Sequence, residues 1–334
     1  MTSLLGGRRG MLVATIMLLL GILLPWVVYP VFAFDLIAFG LFAVSLDLLF
    51  GFAGLLSFGH ALFWGGAGYA STLVIKLYHL PFLAAVGAGV LYALVLAAVV
   101  GFVAIRRQGI YFAMITLAIA QIQYFFAFEL VWLTGGENGV QTTSRGWFFG
   151  YPIENDVAFY YLTLAIVVLG VWFAVRVVRS PFGSVLTAMR ENERRAISLG
   201  YATARFKLVT FVMSGTLAGL AGALFAIGNR LSGLDGVAWQ TSGKVVMMTV
   251  LGGIGTIFGP IVGAGIFESL EYFVSKTAIG DKTNIVLGTV FAVVILLARR
   301  GVVGEILAAT IRREPLREQA EPVIAAEEPV SSRA

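Results

Sequence analysis

Of 334 residues, 59% are apolar and 12% charged, against about 45–50% and about 25% in soluble domains, which excludes a water-soluble globular protein and points to an integral membrane chain. The absence of Cys excludes disulfides and Cys-based metal or redox centres. The net charge of +5 comes from Lys and Arg set between apolar runs, so it reads as a topology signal and not as a nucleic-acid surface.

Arg8 and Arg9 precede the apolar run Met11–Tyr29, which has no small-residue cleavage site before Pro25. It reads as a first helix with its N-terminus inside, and not as a cleaved signal peptide. Further apolar runs follow at Val31–Phe50, Phe52–Ile75, Leu83–Ile105, Ile110–Leu133, Val157–Val178, Leu208–Gly228, Lys244–Val274 and Thr283–Ala298. Most are near the ~20 residues that a bilayer core requires. With Arg106/Arg107, the 176–207 loop and the chain from Arg299 placed inside, 17 Lys/Arg are inside and five outside, with Lys244 at an edge. That bias sets the orientation by the positive-inside rule. The expected fold is all-α: a polytopic helical membrane protein with about eight full spans plus a broken helical hairpin near 244–274.

The hairpin follows from a count. Lys244–Val274 must start and finish outside, yet its 31 residues are too few for two full spans. Two short helices meeting at Gly252–Pro260, where Gly252, Gly253 and Gly255 cluster, satisfy both constraints. Irregular backbone at membrane depth survives only when buried in protein or lining a cavity, so the break is either a substrate pathway or a close-packing site. A similar texture occurs at Gly51–Gly68, with six Gly plus Ser57 and His60. Two Gly-interrupted segments, one near each end, resemble the repeat logic of transporters, although the sequence itself shows no repeat.

Between Arg176 and Lys207 lie seven Lys/Arg and two acidic residues in 32 positions, far more than a span connector needs. Ser180 suits an N-cap, Pro181 the first helical position and Gly200 a C-terminal stop, so the spacing predicts a short helix. Such an ordered, basic, inside segment reads as a dock for a cytoplasmic partner. The loop Thr134–Asp156 is outside and polar. Its Trp147, Phe148, Phe149 and Tyr151 suit an interfacial aromatic belt, and the loop is either a dock for an extracytoplasmic protein or a solvated connector. Residues 1–304 form the membrane domain on this reading, and 305–334 a charged, disordered cytoplasmic tail.

Chemistry is sparse. Gly243-Lys244 is followed by Val245 and has Ala238 where a Walker A glycine would stand, so the chain has no phosphate-cradling loop of its own. No HExxH or GxSxG occurs, and the chain does not read as an enzyme. Polar residues inside the runs are Asp35, Asp47, His60, Gln121, Gln123, Glu129, Glu268 and Glu271. Each charge at mid-bilayer costs on the order of 2.5–3.5 kcal/mol, so each needs a reason. Asp35, Glu129 and Glu271 lie near predicted span ends and can reach water, and Asp47 lies near the inside end of its span. His60 is deeper, and either binds substrate or hydrogen-bonds a neighbouring backbone carbonyl. No chain of carboxylates crosses the membrane, which argues against a proton relay.

Several blocks in order resemble one family. They are DLLFGFAGLLSFGHALFWGGAGYAS (47–71), IRRQGIYFAMITLAIAQ (105–121), LTGGENGV (133–140), SPFGSVLTAMRENERRAISLGY (180–201), KLVTFVMSGTLAGLAGALFA (207–226) and VLGGIGTIFGPIVGA (250–264). Across roughly residues 36–303 the chain is similar to the LivM-type permeases of branched-chain amino-acid ABC importers, which include a urea-type branch. The resemblance implies a subunit working with a second permease, two cytoplasmic ATPase subunits that bind the ATP, and an extracytoplasmic binding protein. It implies a bacterial inner membrane, no cofactor or metal in this chain, and no nucleic-acid partner. The block at 180–201 looks like the EAA-type coupling loop, which gives Arg190, Glu191, Glu193, Arg194, Arg195, Ala196 and Gly200 as residues coupling to the ATPase. The substrate-pathway set is Ser57, His60, Gln121, Gly252, Gly253 and Gly255. Arg194 and Arg195 stand where small residues are common in the family, and Arg299-Arg300-Gly301 where an apolar-Pro-x-Gly turn is usual. Branched-chain amino acids and urea both remain open as substrates, and so does a self-sufficient channel or secondary transporter.

Overall fold

The computed structural model describes residues 8–148, 150–277, 283–297 and 301–305. Phe149, Lys282, Arg299, Arg300 and the tail from 306 lie outside the described residues. The helices are α1 (Arg8–Val27), α2 (Pro30–Asp47), α3 (His60–Tyr78), α4 (Phe82–Ala104), α5 (Ile110–Glu129), α6 (Val131–Thr134), α7 (Asp156–Val178), α8 (Pro181–Glu191), α9 (Glu193–Ser198), α10 (Thr203–Asn229), α11 (Leu234–Val237), α12 (Trp239–Gly252), α13 (Phe258–Ser275) and α14 (Thr283–Leu297). A π-helical turn, Leu48–Phe52, extends α2.

Among the described residues five helices are long and apolar enough to cross a bilayer: α2 with its π-turn, α4, α5, α7 and α10. The other three runs expected to span hold the helices α1, α3 and α14, which are not among those five. The hairpin is present as two helices, α12 and α13, around a non-helical turn at 253–257. The molecule is an all-α, multi-pass membrane protein.

α2 and α10 lie at the centre, where α10 packs on α3, α4 and α2. Small residues permit the approach: a Cβ on Gly222 would overlap the Trp64 carbonyl, and one on Gly219 would overlap Ala93. Lipid offers no hydrophobic drive between helices, so close packing of this kind supplies the association. Phe39, Phe42, Trp64 and Phe225 stack around the join, with Phe42 and Trp64 ring centres 4.4 Å apart. α4, α5 and α7 turn most of their apolar side chains outward, through Leu91, Val99, Phe125 and Leu169 among others.

The loop Thr134–Asp156 is folded onto the body. β1 (Val140–Gln141) pairs antiparallel with β4 (Leu231–Ser232), and β2 (Trp147–Phe148) with β3 (Tyr151–Pro152). Asn155 caps α7 by accepting from the Val157 and Ala158 amides. Arg145 is buried, donates to the Gly228 carbonyl at 3.1 Å and pairs with Asp156 at 2.6 Å. Trp147 and Tyr151 are exposed.

Three local expectations are corrected. The run Phe52–Ile75 is not one helix: residues 53–59 are non-helical and α3 begins only at His60. The 176–207 segment holds two helices, because Asn192 leaves helical geometry (φ −154°, ψ 93°) and its side chain accepts from the Arg195 amide at 3.0 Å, so it ends α8 and caps α9. Ser180 holds the N-cap position of α8, but its hydroxyl donates backward to the Val177 carbonyl at 2.6 Å, so Pro181 alone opens the helix.

Candidate functional site

Two features are candidates for function: the α8–α9 segment, and the polar bonds that hold the broken helices. Gln108, which follows Arg106 and Arg107 between α4 and α5, reaches Glu193 of α9, so that turn and α8–α9 share one end of the bundle, its basic end.

α9 ends in a Schellman motif. The Gly200 amide donates to Ile197 (2.9 Å) and the Tyr201 amide to Ala196 (3.2 Å), with Gly200 at φ +87°. That turn buries Ala196 and leaves Ile197 (55%), Leu199 (70%) and Tyr201 (43%) exposed. Arg194 and Arg195 are exposed beside them, as is Glu191. The result is an apolar patch with a basic flank, with nothing of the described chain over it. Glu193 is turned the other way: its Oε1 accepts from Lys207 Nζ at 2.6 Å and from Gln108 Nε2 at 3.1 Å. It braces α9 against α10 and the α4–α5 turn, so the expected docking set is divided between an outer face and an inner brace.

The second feature runs along alternate residues of α2. The Ser45 carbonyl accepts from Ser214 Oγ of α10 (2.5 Å), and Thr249 Oγ1 of α12, which donates to the Val245 carbonyl at 2.8 Å, stands 3.3 Å from the Ala43 carbonyl. Asp47, fully buried, accepts the Gly255 amide on Oδ1 (2.7 Å) and the Ile257 amide on Oδ2 (3.2 Å). Those amides belong to the turn between α12 and α13, where the chain leaves helical geometry and its N–H groups lose their partners. A carboxylate satisfies both, and charge-assisted bonds of this kind contribute on the order of 1.5–3 kcal/mol each. Arg190, at the end of α8, donates to the Gly51 carbonyl in the π-turn.

The expected pathway residues fall into three groups. Gly252, Gly253 and Gly255 form the turn held by Asp47. Gly252 has no room for a Cβ against the Gly259 carbonyl, and Gly253 (φ +121°) and Gly255 (φ +76°) hold conformations that favour glycine. Gly301, also at positive φ, packs on Gly253, so the glycine of the terminal turn is in place despite the preceding arginines. Ser57 and His60 lie at the other break. Ser57 is buried and accepts the Gly59 amide at 3.2 Å. His60 Nε2 is 2.9 Å from Ser214 Oγ. Since Ser214 spends its one proton on Ser45, the histidine must donate from Nε2, which leaves Nδ1 as a buried acceptor without a partner among the described residues. Gln121 makes none of these bonds. Its neighbour Gln123 donates to the Leu62 carbonyl (3.0 Å) and accepts from Tyr92 (3.3 Å).

Sequence reasoning missed Asp47, Asn192, Lys207, Ser214 and Thr249. For Asp47 a signal existed, a lone carboxylate five positions before Phe52 and the start of a Gly-broken run. The other four are ordinary until their partners are placed beside them.

A bundle of apolar helices with two broken segments and an uncovered basic segment at one end defines a multi-pass membrane protein of the permease class. The chain belongs to the branched-chain amino acid transport system / permease component family, whose model matches residues 10–298. It is 30% identical over 244 residues to the high-affinity branched-chain amino acid transport system permease protein LivM of Salmonella typhimurium, and equally to that of Escherichia coli. Each match covers 66% of this chain and 57% of the relative, so the similarity spans little more than half the length of those proteins. The high-affinity permease protein LivH of E. coli is 25% identical over 284 residues, covering 80% of this chain and 91% of LivH. No solved structure matches.

Proposed function

We propose that this chain is a transmembrane permease subunit of an ATP-binding-cassette importer and forms part of the pathway for the branched-chain amino acids Leu, Ile and Val. The observation that carries the reading is the α8–α9 segment: an ordered, basic helical pair presenting Ile197 and Leu199 outward, with Tyr201 partly exposed beside the Phe206 ring. Exposed apolar side chains rimmed by charge are the anatomy of a protein interface. On this reading α8–α9 seats an ATPase subunit, Arg194 and Arg195 steer it, and the basic end is cytoplasmic, which puts the N-terminus inside. The membrane is the bacterial inner membrane. The chain hydrolyses nothing itself, and binds no cofactor. ATP is bound by two partner ATPases, a second permease completes the pathway, and an extracytoplasmic binding protein delivers substrate. The family match and the likeness to both LivM and LivH support this assembly.

The test is reconstitution in liposomes with the partner permease, ATPases and binding protein. ATP-driven uptake of radiolabelled leucine, isoleucine or valine, dependent on this chain, is the expected result. Uptake of urea without uptake of these amino acids would replace the substrate assignment. Uptake by the chain alone, without ATP, would overturn the importer reading.

A further inference from the structure

We infer that Asp47 and Arg190 form a positioning clasp that ties α8 to both broken segments, so that displacement of the α8–α9 segment moves the 253–257 turn and the start of the 53–59 strand of chain together. The inference rests on the reading of α8–α9 as the ATPase dock and adds the route by which that dock acts on the membrane core.

Four elements meet at the clasp. Asp47 closes α2 and holds the α12–α13 turn through the Gly255 and Ile257 amides, using both carboxylate oxygens. Arg190 enters from α8 and donates to the carbonyl of Gly51, a residue whose α-carbon lies so close to the Asp47 carboxylate that an added Cβ would overlap it. The glycines around it leave no slack. A Cβ on Gly51 would lie 2.7 Å from the Gly255 amide nitrogen and 2.8 Å from Asp47 Cγ, one on Gly54 3.1 Å from Arg190 Cγ, and one on Gly255 3.4 Å from Arg190 Nη1. The backbones of the π-turn and of the 253–257 turn are therefore in near contact at Gly51 and Gly255, and Arg190 lies against Gly54 and Gly255.

A purely local role explains less. Asp47 alone satisfies the two turn amides, and a helix end needs no cation from a segment some 140 residues away. Arg190 brings that cation from the segment with the uncovered face, while Asp47 has no exposed surface of its own. On its other side α9 is braced by the bonds from Glu193 to Lys207 and Gln108. Beside the packing of Leu186, Met189 and Ala196, two polar grips tie α8–α9 to the body among the described residues, and of these the Arg190 grip ends on the broken helices. Charge-assisted bonds in a dry site hold direction as well as distance, which is what transmission between packed elements requires.

The experiment uses the complete reconstituted importer and reads uptake per assembled complex, with co-purified ATPase measured separately. Asp47→Asn, Arg190→Gln and the double variant are compared with Arg194→Glu/Arg195→Glu. The clasp variants are expected to retain bound ATPase and to lose uptake about tenfold or more, with the double no worse than the more severe single, as for groups acting as one unit. Arg190→Lys, which keeps the charge and a donor for the Gly51 carbonyl but not the guanidinium fork, is expected to recover part of the loss. Near-native uptake in Asp47→Asn, or losses that multiply in the double, would overturn the clasp. Loss of ATPase binding in Asp47→Asn would overturn it as well, since Asp47 would then only support the dock. If Asp47→Asn reduces the amount of inserted protein, the comparison of Arg190→Lys with Arg190→Gln decides. ATPase retention by Arg194→Glu/Arg195→Glu would instead count against the docking reading and leave the clasp to its own arms.

Discussion

Lys207 Nζ and Glu193 Oε1 lie 2.6 Å apart, with the lysine side chain 6% and the glutamate 22% exposed. The pair joins the first turn of α9 to the first turns of α10, and it removes Glu193 from the outer face on which its neighbours Arg194 and Arg195 stand. A largely buried pair is a poor source of net stability but a sensitive one, because removing one partner strands the other.

Glu193→Ala should therefore destabilise more than Glu193→Ala/Lys207→Met. The single variant leaves a nearly buried ammonium uncompensated, for a loss of about 3 kcal/mol, while the double removes both charges. Thermal unfolding in detergent, followed by tryptophan fluorescence, distinguishes the two. Equal midpoints would mean that the pair is not load-sharing and that Lys207 reaches water.

Gly200→Pro should disrupt the end of α9 without preventing insertion. Proline cannot adopt φ +87° and lacks the N–H that Gly200 donates to Ile197. Gly200→Ala should be milder, at roughly 1–2 kcal/mol for a left-handed alanine. Binding of the ATPase subunit to the purified chain should fall in the order native, Ala, Pro. Unchanged binding in the proline variant would remove the α9 terminus from the dock.

Single cysteines report sidedness cleanly, because the native chain has none. Tyr151→Cys and Ser198→Cys occupy exposed positions at opposite ends of the bundle. A membrane-impermeant maleimide added to intact cells should label the first and spare the second. The reverse pattern would invert the orientation drawn from the Lys/Arg bias.

Glycines at the break and in the bundle should fail differently. Gly222→Leu would drive a side chain into the Trp64 backbone and Gly219→Leu into Ala93, in an interface with no room to repack, so folded protein should be lost. Gly255→Leu meets Arg190 Nη1 and the Gly51 carbonyl at 3.4 Å and is strained at φ +76°. It should insert in useful amounts yet transport poorly per folded molecule. Size-exclusion yield and uptake, measured on the same preparations, separate the two outcomes. Loss of protein with unchanged specific uptake at Gly255 would make the break a packing site.

The sequence alone determined what depends on local composition. Apolar runs near bilayer length made the chain helical and membrane-spanning, and the arithmetic of Lys244–Val274 required two short helices with a glycine turn, which α12 and α13 supply. Gly200 was legible as a stop because a left-handed residue after a helix is a local property. Only the tertiary structure decided where buried polar groups find partners. Asp47 looked like a carboxylate near a span end, and acquired its role from amides 208 and 210 positions away. Glu193 looked like part of a docking surface until Lys207 and Gln108 closed on it. His60 gained Ser214 from a helix 154 residues distant. Periodicity and hydropathy record which side chains leave water, and carry no information on which distant donor meets which acceptor. In a bilayer that pairing is settled by how the helices pack, since the lipid offers a stranded polar group nothing in its place.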